Sequence, residues 1–115
     1  MNRKPDCVNK TDGAFPGIGK ELAAEIKRLF PGKGPKEIAS GLGVEVVYEK
    51  PVRSRELVRL SEYRAKQKQI AVFFREVEHT AIAHELFHHL ESAKGLKLGR
   101  EVSEREAKAF AEVLE

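Results

Sequence analysis

Residues 81–90, Ala-Ile-Ala-His-Glu-Leu-Phe-His-His-Leu, combine a dense apolar run with two histidines four residues apart and a glutamate beside the first. The wider segment Glu78 to Ala93 is rich in Ala, Leu, Ile and Phe around nearly its whole circumference, which predicts a central helix. At 3.6 residues per turn, His84 and His88 then lie on one face. Burying two imidazoles and a carboxylate beside Ala81, Ile82, Ala83, Phe87 and Leu90 is costly unless something compensates them. The bland reading is an ordinary polar stripe on a helix that also tolerates His79 and His89. A metal ion gives the stronger one: two imidazoles one turn apart converge on it, and Glu85 is placed to act as general base on a water held there. The remainder of the chain therefore has to wrap this helix and bring it a third ligand.

Catalytic zinc takes three protein ligands and keeps one position open. Cys7 is the single cysteine, lies near the N-terminus, and can form no internal disulfide. His79 and His89 project away from the face shared by His84 and His88, so a carboxylate is expected, with Glu101, Glu104 and Glu106 as candidates. Gly95 and Gly99 break the central helix, and a bend over 94–99 folds the chain into a helical hairpin. In such a hairpin position 104 faces 88 and position 108 faces 84. Glu104 is the geometric choice. Glu106 is the alternative, since Ser103-Glu-Arg-Glu106 spells a capping box that offers it a structural task. Glu104 also has a plain reading, as an acid favoured in a helix's first turn.

The rest reads as one α+β domain spanning 1–115, with 1–14 a loosely held lead-in. Leu22, Ala23, Ile26, Leu29 and Phe30 mark the apolar face of a helix over Gly19 to Phe30, stopped by Pro31-Gly32. A short second helix is expected from Pro35 to Leu42. Val44 to Tyr48 reads as a strand, and Leu57 to Arg64 with Gln69 to Phe74 as a hairpin around residues 65–68. The expected architecture is two N-terminal helices, a small antiparallel three-stranded sheet, the His-Glu-x-x-His helix and a C-terminal helix.

At 41% hydrophobic and 34% charged residues, the 115-residue chain has material for one modest core and does not resemble a disordered segment. It contains no membrane-length apolar run and no signal-peptide pattern at its start, so a cytoplasmic protein without a membrane partner is expected. A net charge of +3, with both signs interspersed, is a weak argument for nucleic acid. The glycines before Lys20 have the wrong spacing for a phosphate-binding P-loop, and Glu21 stands where Ser or Thr is required. Phe15 to Ile26 resembles the hairpin of helix-hairpin-helix DNA-binding modules, but the preceding segment is too short and polar for the first helix of such a unit. Nucleic acid is not an expected partner.

Glu37 to Val46, Ile82 to His89 and Glu104 to Ala111, taken in order with the elements around them, resemble the ImmA/IrrE zinc metallopeptidases in a minimal, single-domain, gluzincin-like form. The resemblance implies one zinc per chain held by His84, His88 and Glu104, with Glu85 as general base and a peptide or protein, such as a regulatory protein, as substrate. Family members commonly carry Asn or Asp four residues after the ligand glutamate; this chain has Lys108, which cannot accept a hydrogen bond from an imidazole. Tyr63 and His89 are candidate transition-state stabilisers, and an extended substrate would pair with the strand nearest the site. The alternative is a non-catalytic, metal-stabilised binding module acting through a protein or nucleic-acid partner.

Overall fold

The computed structural model describes residues 17–51 and 58–115. The expected lead-in over 1–14, Cys7, and the first residue of the expected hairpin, Leu57, lie outside the described residues.

Chain order is α1 (Ile18–Leu29), α2 (Pro35–Gly41), β1 (Glu45–Tyr48), β2 (Ser61–Arg64), β3 (Gln69–Val72), a short 3-10 turn (Arg75–Val77), α3 (Glu78–Lys94) and α4 (Arg100–Leu114). This is the α+β order expected from the sequence. Helix α1 buries Leu22, Ala23 and Ile26 against α4, whereas Leu29, at the helix end, stays 63% exposed. Pro35 starts α2, where its missing N–H costs nothing, and the Glu37 carboxylate accepts the Gly34 amide at 3.0 Å.

The sheet is mixed, where an antiparallel one was expected. Its order is β1-β3-β2: β2 pairs antiparallel with β3, and β1 pairs parallel with it, Val46 opposite Ile70. The hairpin turn fixes β2 on one edge of β3 and leaves β1 only the other edge. The chain between β1 and the hairpin is long enough for β1 to lie parallel, and side-chain periodicity carries no information about strand direction. The central position of β3 matches its composition, with Ile70, Ala71 and Val72 all buried.

Helix α3 is the axis of the molecule. It packs against α2, α4, β2 and β3, which explains an apolar surface on nearly every side. Ile82, Leu86 and Phe87 are fully buried, and Phe87 meets Phe110 of α4 with ring centroids 5.8 Å apart. Gly95 ends α3 at φ 67°, a left-handed conformation that a side chain disfavours, and the chain then returns antiparallel as α4.

Helix α4 starts at Arg100, three residues before the expected capping box. Ser103 therefore lies inside the first turn and caps nothing; its hydroxyl donates to Glu91 at 2.8 Å. Glu106 reaches across to α1, where its Oε1 accepts the Gly19 amide at 2.9 Å. The two helices approach so closely there that a Cβ on Gly19 would run into the Glu106 carbonyl oxygen. No helix among the described residues is long and apolar enough to cross a membrane.

Candidate metal centre

The antiparallel α3–α4 hairpin brings Glu104 over the His84–His88 face. Its two carboxylate oxygens lie 3.1 Å from His84 Nε2 and 3.1 Å from His88 Nε2, and one ligand atom from each residue falls within 4.8 Å of the others. Metal–ligand bonds of 2.0–2.2 Å around a tetrahedral ion separate ligand atoms by roughly 3.2 to 3.6 Å, so the triad is close to the required size. This His-His-Glu group can hold a metal ion.

The hydrogen bonds around it sharpen the fit. His88 Nδ1 lies 3.1 Å from the Glu91 carboxylate, which also accepts the Ser103 hydroxyl. A carboxylate only accepts, so Nδ1 carries the proton of this bond. In neutral His88, Nε2 is then a bare lone pair facing the Glu104 carboxylate. Two acceptors 3.1 Å apart repel unless a proton or a cation lies between them. The arrangement suits a metal, with Glu91 fixing the tautomer and ring orientation from behind.

Glu85 is buried, and its Oε2 accepts the Ser61 hydroxyl of β2 at 2.8 Å. Two residues along β2, Tyr63 contacts His89 Nδ1 at 2.8 Å. Burial raises the Tyr63 hydroxyl above its ordinary pKa; burial and, secondarily, the Lys68 charge lower that of His89. At neutral pH the tyrosine therefore keeps its proton and donates it to a neutral imidazole.

An open cleft of about 770 Å³ runs over these groups, lined by β2 and the residues before it, by the first half of α3, and by Arg100 and Glu104 of α4. His84, Glu85, His88, Glu104 and Tyr63 border it; His89 and Glu106 do not. His89 sits behind Tyr63, and Glu106 is committed to the α1 amide. Glu101, the third acid considered from sequence, is exposed outside the triad. Lys108 is exposed as well, and among the described residues His84 Nδ1 has no hydrogen-bond partner.

Ser61, Glu91 and Ser103 were missed from the sequence. Glu91 follows His88 by three residues, the spacing of one helical turn, so that signal was present in the chain. Ser61 and Ser103 reach the site only through tertiary contacts. The Gly19 amide, which would meet a phosphate in a helix-hairpin-helix module, is occupied by Glu106.

Strand β2 is the edge strand beside the cleft. The Phe73 amide donates to the Leu60 carbonyl, so alternation assigns the β3-facing bonds to Leu60, Glu62 and Arg64. The backbone N–H and C=O groups of Ser61 and Tyr63 consequently face the outer edge. Compared with known protein families, characterised proteins and solved structures, the chain matches none.

Proposed function

We propose that this chain is a zinc-dependent peptidase of the ImmA/IrrE, gluzincin-like kind, with His84, His88 and Glu104 as ligands and Glu85 as general base. The observation that carries the reading is the convergence of a candidate ligand triad, a buried carboxylate and a strand edge with no partner among the described residues on one cleft. Zinc suits two imidazoles and a carboxylate, and when bound it supplies a Lewis acid that polarises a carbonyl and acidifies water.

The chain's own residues do the rest. Glu85 takes a proton from the attacking water and delivers it to the departing amine. The Ser61 hydroxyl holds one Glu85 oxygen, which limits the carboxylate's rotation and leaves the other oxygen for the proton. An extended peptide pairs with the outward groups of Ser61 and Tyr63, bringing its backbone over the ligand triad. Tyr63 borders the cleft and can donate to the developing oxyanion only by releasing its hydrogen bond to His89.

One feature favours a second reading, a metal-stabilised binding module without catalysis: His84 lacks a described partner for Nδ1, so its orientation is the least supported of the three ligands. Replacing Glu85 by Gln separates the two. For a peptidase, the zinc-loaded variant retains about one zinc per chain and loses at least roughly a hundredfold in peptide hydrolysis. His84→Ala loses the metal itself. Hydrolysis unchanged by Glu85→Gln, or absent from the zinc-loaded native chain, overturns the peptidase reading.

A further inference from the structure

The two ends of the cleft differ in chemistry. Ser61 bonds Glu85 and Tyr63 bonds His89, so β2 and α3 run in the same direction, and residues 58–60 lie beside the start of α3. Val58, Leu60 and Val77 gather at that end, 41%, 52% and 37% exposed, with buried Ala81 beneath. Single exposed apolar side chains are ordinary on a protein surface. Three on the wall of one concave cleft, beside a strand edge with no partner among the described residues, form a surface suited to an apolar ligand group.

Helix α4 runs the opposite way. Ser103 meets Glu91, Glu104 meets His84 and His88, and Thr80 meets Glu115. Arg100, one turn before Glu104, therefore lines the cleft toward its other end. Its guanidinium makes no ion pair with any described carboxylate, including Glu104 on the next turn. The ligand triad lies between the apolar end and this cation.

Resting on the peptidase reading, we infer that the cleft selects peptides with an acidic side chain N-terminal to the scissile bond, facing Arg100, and an apolar one C-terminal to it, against Val58, Leu60 and Val77. The direction follows from pairing antiparallel to β2, the more common mode and the one β2 already uses with β3. A chain so paired runs from the Arg100 end to the Leu60 end. Arg59 also borders the cleft, but at the apolar end, where it cannot serve a carboxylate placed near Arg100.

The test measures binding of labelled peptides to the zinc-loaded E85Q protein by fluorescence anisotropy, so affinity is read without turnover. The parent peptide has Glu before and Leu after the central bond. Replacing its Glu by Lys weakens binding about tenfold, and R100E reverses that order, whereas R59A preserves it. Replacing its Leu by Ser weakens binding to the E85Q protein, and L60S removes that difference. Equal binding of all peptides, a charge preference that follows Arg59, or equal binding of the reversed Leu-to-Glu peptide overturns the inference. So does a preference for the reversed peptide with a free C-terminal carboxylate over its amide, because that acid would belong to a chain running parallel to β2. Hydrolysis by the native chain is scored separately. Selective binding without native hydrolysis refutes the peptidase reading and leaves the cleft's selectivity standing, and hydrolysis with equal binding does the reverse.

Discussion

Glu91 lies outside the His-Glu-x-x-His motif, yet it decides how His88 presents itself. Its carboxylate takes His88 Nδ1 at 3.1 Å and is itself held by Ser103, so the imidazole turns Nε2 toward Glu104. Groups of this kind typically alter metal affinity by 10- to 100-fold. Glu91→Ala should therefore weaken zinc binding by roughly that factor in a chelator competition, with the helical circular-dichroism signal retained. An unchanged dissociation constant would mean that Glu91 has no orienting role. His84, with no described partner for Nδ1, should respond less to any single substitution around it. At this scale the motif was fully legible, because the i, i+4 spacing alone puts both histidines on one face. Ser61 was not, since nothing in the spacing of a strand residue 24 positions from Glu85 announces a 2.8 Å hydrogen bond.

Two contacts between elements hold the site's scaffold in place. The first joins α1 to α4, where Glu106 accepts the Gly19 amide and the backbones approach too closely for a side chain at position 19. Gly19→Ala should cost roughly 1–3 kcal/mol through overpacking, read as a lowered denaturant midpoint with unchanged m-value. A neutral result would show that the helices can separate freely. The second is Arg64, whose guanidinium bonds Glu49 beyond β1, Glu62 on β2 and Gln69 on β3, linking all three strands. The hydrogen bond from Arg64 lowers the Glu49 carboxyl below its ordinary value of 4.5. A depressed carboxyl stabilises the fold above its unfolded pKa and loses that contribution as pH falls through the folded one. Glu49→Gln should thus lower stability slightly at neutral pH and flatten its decline below about pH 4.5, checked by urea denaturation across that range. A decline as steep as that of the parent counts against the link. The sheet's parallel β1–β3 pairing belongs to this scale as well: composition identified β3 as the buried strand but could not give the direction of its neighbour.

Across the whole molecule, His84, His88 and Glu104 meet between α3 and α4, the two longest described helices, so an ion held there would clasp two elements that also meet through apolar contacts such as Phe87 with Phe110. An ion bound only by the folded state stabilises it by about 4 kcal/mol at a thousandfold excess over its dissociation constant. For a domain near this size, that corresponds to a melting-temperature rise on the order of 15 °C or more. Zinc should produce such a shift, a chelator should reverse it, and His84→Ala should abolish it; no shift in the native chain would refute the clasp. The sequence by itself determined the helices, the strands and the shared face of His84 and His88 on α3, and it put Glu104 opposite that face with Glu106 as the alternative, because helical periodicity, glycine breaks and hairpin arithmetic are local or nearly local properties. Only the tertiary structure decided that Glu106 ties α1 instead of joining the site, that β1 runs parallel to β3, and that Ser61 and Arg100 border the cleft. These outcomes depend on which surfaces meet when the elements pack, and residues distant along the chain encode such meetings jointly.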